Sequence, residues 1–214
     1  MDDHLLSLCI FLPLIGALVA LLWGQVIWVH RLARGCAGIV ALLGVYLVVR
    51  FDSNTQGAQF VERLDWIPEL GVAYHLGLDG ISLFPFALAA LALFLALIVC
   101  RPARGEIAAL LAVASAALGA FAARDLLLFY FCAEAAILPI FALLSRANGH
   151  PRAGLRMVFC GLAGGVPFLV AVGYLAVVHL RQTGQLSFDL ADLQTLDLPP
   201  EVQSWLLLAF LLGL

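Results

Sequence analysis

The chain has 214 residues, 64% of them hydrophobic and only 12% charged, with a mean hydropathy of +1.07. Soluble domains are roughly half apolar and about one quarter charged, so a water-soluble fold is excluded: it has nowhere to hide this much apolar surface. The net charge of -3 says little, and no basic stripe of the kind that binds nucleic acid is present.

A spanning helix needs about 20 mostly apolar residues, because a rise of about 1.5 Å per residue must cross about 30 Å of hydrocarbon. In chain order, such runs predict helices at 5–23, 32–50, 81–100, 107–123, 126–145 and 157–180. The second has a short apolar core, 35–49, and relies on Arg34 and Arg50 snorkelling from its two ends. Asp2 and Asp3 stand where a secretory signal would carry positive charge, so the first run reads as a mature span. The last apolar run, 202–214, would extend only about 20 Å as a helix. Trp205 followed by a leucine-rich stretch resembles the start of a span rather than an interfacial helix. The expected fold is therefore an all-α integral membrane bundle, one membrane domain over 1–214, with six crossings and an incomplete seventh. That last run also makes a fragment or split half of a longer protein the expectation.

All 11 basic residues are arginine. Seven of them (Arg31, Arg34, Arg101, Arg104, Arg146, Arg152, Arg156) follow the first, third and fifth spans, which predicts cytoplasmic loops there and an N-terminus outside. Most acidic residues fall in the opposite loops, two of them long, at 51–80 and 181–201. The first holds Trp66, Pro68 and Gly71, the second closes on Pro199 and Pro200, and both are expected to carry short interfacial structure. Cys9, Cys36, Cys100, Cys132 and Cys160 lie in or beside apolar runs without CxxC spacing, and read as packing residues rather than disulfides or metal ligands.

Glu134 lies near the centre of the fifth run, where an ionised carboxylate without partners or water costs several kcal/mol. A carboxyl that passes between apolar and polarised surroundings changes its affinity for a proton and can accept and pass one on. The plain alternative is a hydrogen-bonded acid that only holds helices together. Tyr130 lies one turn earlier on the same face, and Pro139 removes the helical donor for the carbonyl of Ala135, which loosens the turn beside the acid and can recruit water. Asp125 and Arg146 bound this run. His75 and Asp79, four apart in HLGLDG, can share a helical face as a proton relay, or be two solvated interfacial residues. Pro85 and Pro167 are expected at kinks, Gly161 and Gly165 form a GxxxG packing stripe, His179 is interfacial, and Ser115 is a back-bonded or packing hydroxyl. No phosphate loop, metal cluster or nucleophile elbow is found.

Two stretches resemble the antiporter-like proton-translocating membrane subunits of respiratory complex I, the NADH-quinone oxidoreductase, and within them its chain M. WIPELGVAYHLGLDGISL (66–83) is similar to an outer loop running into the third helix, and RDLLLFYFCAEAAILPIFALL (124–144) to the fifth helix, with its aspartate, aromatic turn, glutamate and proline. The resemblance implies that Glu134 is a proton carrier whose affinity is set by a lysine on the seventh helix. This chain has no lysine, and Ala133 stands where the family usually has tryptophan. The resemblance further implies a bacterial inner membrane, other membrane-arm subunits and lipid as partners, and no redox chemistry in this chain, with NADH, flavin mononucleotide, iron-sulfur clusters and quinone on partner subunits. A multi-subunit cation/proton antiporter and a structural relic without transport are the competing expectations.

Overall fold

The computed structural model describes residues 4–22, 26–55, 57–100, 102–148 and 151–213, with the backbone alone for 26, 146–148 and 151–153. Asp2, Asp3, Trp23, Arg101 and Leu214, and the side chains of Arg146 and Arg152, therefore lie outside the described residues. The elements in order are α1 (Leu5–Leu22), α2 (Val26–Arg50), β1 (Gln59–Ile67), β2 (Val72–Leu78), α3 (Leu83–Val99), α4 (Arg104–Ala122), α5 (Leu126–Ala135), α6 (Ile137–Asn148), α7 (Pro151–Thr183), the short α8 (Leu190–Leu193) and α9 (Pro200–Gly213).

The class is mostly helical and membrane-spanning, as expected. Five described stretches are long and apolar enough to cross: Leu5–Leu22, Ile27–Arg50, Arg104–Ala122, Leu126–Ser145 and Gly154–Thr183. The expected third span, α3, has 17 residues and extends about 25 Å, at the lower end of the roughly 17–25 residues that cross a bilayer. The exposed residues of these helices are as apolar as the buried ones: on α2, Ile39, Leu42 and Val49 face outward while Val40 and Leu47 are sealed inside. Only a hydrocarbon solvent makes both faces stable.

Two packed layers of side chains run through α1–α4. One, near the start of α1, joins Leu6, Cys9, Leu47, Phe86 and Leu118 to Leu76 and Leu78 of β2. The other joins Ala17, Ala33, Leu93, Leu97, Ile107 and Leu111 at the opposite end. A third cluster, Ala171, Leu175, Leu193, Leu206 and Ala209, binds α7 to α8 and α9. Between them α5 has no buried residue and forms an open flank of the bundle.

The two ends have the chemistry the charge pattern predicts. At one end, arginines bond the chain's own carbonyls: Arg34 Nε donates to Leu97 O at 3.2 Å, and Arg104 donates to Ala20 O and Leu21 O. Arg31, Arg34, Arg104 and Arg156 lie within helices rather than in the loops expected of them, because α2, α4 and α7 start early. At the other end, the acidic loops are ordered. The expectation of an all-helical chain misses an antiparallel hairpin, β1 with β2, turning through Pro68–Leu70. Gly71 closes that turn with φ 66°, and a Cβ there would also overlap Leu186 O, so only glycine fits.

Candidate functional site

The fifth run is broken. After Ala135 the chain makes one turn residue, Ala136, whose N–H bonds back to Ala133 O at 3.2 Å, and α6 restarts at Ile137. Pro139 thereby falls in the first turn of α6, where its missing N–H costs nothing. The same reasoning corrects Pro85, expected at a kink: it sits in the first turn of α3. Pro167 does lie inside α7.

Glu134 is the penultimate residue of α5, directly before this break. It lines a cavity of 200 Å³ with Phe129, Tyr130, Ala133, Ile137, Gly161, Phe168 and Gly213. Its Oε2 is buried and has no hydrogen-bond partner among the described residues. Tyr130 lines the same cavity, as the one-turn spacing predicts, and stacks on Phe168 at 6.1 Å between ring centroids. The glycine stripe of α7 makes the room: a Cβ on Gly161 would come within 2.8 Å of Ile137, and one on Gly165 would overlap the Glu134 carboxylate itself. Sequence reasoning assigned both glycines to packing and missed that Gly165 admits the acid. The signal was there in the matched spacing of two glycines one helical turn apart. Phe168, three residues beyond Gly165 on α7, and Gly213 of α9 stand in no such spacing pattern.

The other singled-out acids do not converge on Glu134. Asp125 caps α5, accepting from Leu127 N and Leu128 N at 2.9 and 3.0 Å, and from Ala73 N of β2 at 3.2 Å. Burial pushes its carboxyl up from the ordinary range, opposed by those three hydrogen bonds and reinforced by Asp189 nearby.

His75 and Asp79 share no helical face: His75 is on strand β2 and Asp79 just beyond its end, and each has a separate partner. His75 Nδ1 meets Asp189 Oδ2 at 2.6 Å, which Arg63 also reaches at 3.2 Å. Asp79 accepts from Ile81 N, Ser82 N and Arg124 Nη1, the last at 3.2 Å. Burial alone would raise the Asp79 carboxyl, but the Ser82 and Ile81 hydrogen bonds and the Arg124 charge hold it below the ordinary value.

Two further acids escaped the sequence reading. Asp189 ties the 184–190 loop to the hairpin. Glu62, 6% exposed, caps α1 by accepting from Leu6 N at 2.7 Å and from the N–H and hydroxyl of Ser7. His179 bonds Gln185 O at 2.8 Å, and Ser115 donates to Ile10 O of α1 at 2.7 Å, an inter-helix bond rather than a back-bond. Among the described residues, no three His, Cys, Asp or Glu side chains gather as a metal site.

A helical bundle with apolar faces on both sides and a carboxyl set into a cavity at a helix break defines an integral membrane protein with an intramembrane acid. No family model matches the chain. It is 30% identical over 185 residues to NADH-quinone oxidoreductase subunit M of Rickettsia felis, a match that takes in 80% of this chain and 38% of that protein. It superimposes on a chain of respiratory complex I from Thermus thermophilus with bound NADH at a TM-score of 0.82 and 32% identity, covering 97% of this chain and 43% of that one. A chain of the Mrp complex from a Dietzia species shares the fold, with a TM-score of 0.72 at 18% identity over 97% of this chain and 23% of that one.

The chain is thus homologous to the antiporter-like subunit M of NADH-quinone oxidoreductase. It spans about two fifths of the length of the relatives it matches.

Proposed function

We propose that the chain is part of the proton-translocating membrane arm of an NADH-quinone oxidoreductase, in a bacterial inner membrane, and that Glu134 carries the proton within the membrane. One observation carries this reading: the buried, unpartnered Oε2 of Glu134 beside a cavity of 200 Å³. An acid that merely joins helices would spend its oxygens on donors from a neighbouring helix. Among the described residues this one has no donor, but it has room for several waters, each of which occupies about 30 Å³ in the liquid.

Hydration of the cavity favours the carboxylate, and a dry cavity favours the protonated acid, so a change in water content moves the proton on or off Glu134. The break at Ala136 adds backbone carbonyls that water can bond, and the Tyr130 hydroxyl extends the same wall. Gly165 keeps the carboxyl pressed against α7 with no side chain between them. In this reading NADH, flavin, iron-sulfur clusters and quinone bind partner subunits, and other membrane-arm subunits and lipid cover the bundle.

The test is Glu134→Gln in the assembled complex. The expected result is intact assembly with proton translocation per NADH oxidised strongly reduced. Unchanged translocation would overturn the proton role. A cation/proton antiporter, the reading that the Mrp-like fold keeps alive, would instead exchange sodium for protons in vesicles lacking NADH.

A further inference from the structure

We propose that a cleft at the acid-rich end of the bundle binds one phospholipid with a primary-amine head group, its tail between the helices and its head on Asp79 and Arg124. The cleft has a volume of 660 Å³, within the range of about 300–1,000 Å³ typical of small-molecule sites. Its inner wall is apolar, formed by Pro85, Phe121, Phe129, Leu175 and Phe210. It adjoins a second chamber of 400 Å³ lined by Ser53, Thr55 and Gln194. Asp79 and Arg124 line both, so the boundary between apolar and polar space is an ion pair.

That pair is incompletely satisfied. Arg124 Nη1 donates to Asp79 at 3.2 Å, while its Nε is buried with no partner among the described residues. A phosphate oxygen is the acceptor that suits a guanidinium fork. The hydrogen bonds that hold Asp79 below the ordinary carboxylate range keep it ionised at neutral pH, where it accepts from an ammonium. A purely anionic head would meet the Asp79 charge, and a choline has no N–H to donate to it. An apolar helix filling the cleft would offer the Arg124 Nε no acceptor and leave it unpartnered. Phe129 and Phe168 also wall the Glu134 cavity, so a seated tail closes that cavity on this side.

The full chain, with whatever subunits copurify, is placed in phosphatidylcholine nanodiscs holding a small fraction of phosphatidylethanolamine with a diazirine near the tail end. Photolabel is expected on peptides containing Phe121, Phe129, Leu175 and Phe210, and unlabelled phosphatidylethanolamine should compete at least tenfold better than phosphatidylcholine or phosphatidylglycerol. Ala120→Trp, which puts a bulky side chain into the cleft without altering the ion pair, should cut labelling at least fivefold, as should Arg124→Gln, with partial recovery in Arg124→Lys. Circular dichroism establishes that each variant is folded. Equal competition by phosphatidylcholine, labelling of outward faces such as Leu42 and Ile98 at the same density, or undiminished labelling in folded Ala120→Trp would each overturn the proposal.

Discussion

Gly165 of α7 and Glu134 of α5 are in direct contact, and a methyl group added at 165 would occupy the space of the Glu134 Oε1. The acid and the glycine are one structural unit, although they lie 31 positions apart in the chain. Gly165→Ala should therefore act on Glu134. Helix propensity alone would favour alanine by up to about 1 kcal/mol, whereas overpacking costs about 1–3 kcal/mol, so a net loss of thermal stability reports the clash. Proton translocation in the assembled complex is expected to fall toward the level of Glu134→Gln. A variant that is more stable and fully active would show that the carboxyl has another place to go.

Glu62 should be worth more to stability than its position in a surface hairpin suggests. Glu62→Ala leaves the N–H groups of Leu6 and Ser7 at the start of α1 without acceptors. The expected cost is about 1–3 kcal/mol, read from thermal unfolding in detergent. Glu62→Gln keeps a carbonyl acceptor and should recover a large part of it.

Asp79 and Asp125 should tilt the pH dependence of stability in opposite senses. Asp79 is held below its ordinary value when folded, so its contribution is present above the unfolded value of about 3.9 and is lost as pH falls through the folded one. Asp125 is pushed up by burial, so its contribution is complete below the unfolded value and is lost as pH rises through the folded one. Melting temperatures between pH 3 and 7 should show a shallower acid-side fall for Asp79→Asn. Asp125→Asn, which retains a capping oxygen, should remove the loss on the rising side.

Asp189 latches the 184–190 loop to the hairpin through His75 and Arg63, and it also caps α8 by accepting from Ala191 N. Arg63 is half exposed, so the His75 contact and the cap carry most of the effect. Asp189→Ala should speed hydrogen exchange across 184–193 at least tenfold, equivalent to about 1.4 kcal/mol. Asp189→Asn, with the cap kept, should show a smaller increase.

The helices were legible because each apolar run is a property of consecutive residues, and the charge alternation around them sorted the two ends. Boundaries were less so: α2 and α7 extend past their apolar cores because polar residues such as Arg31 and Gln182 continue a helix at no cost once they reach the interface. The hairpin was missed although Gln59–Ile67 and Val72–Leu78 flank Pro68 and Gly71, because the HLGLDG stretch fits a helical spacing as well as a strand. Glu134 was legible as an isolated charge within an apolar run, and Tyr130 by its one-turn spacing.

By itself the sequence determined that the chain is built for a bilayer and roughly where its apolar helices lie, and it singled out Glu134 as the acid inside an apolar run, since these follow from local composition and a fixed rise per residue. Only the tertiary structure decided what surrounds that acid. Gly165, Phe168 and Gly213 arrive from α7 and α9, and a contact between elements so distant along the chain depends on how whole helices pack. The same packing separates His75 from Asp79 and gives each a partner, Asp189 and Arg124, that no spacing along the chain announces.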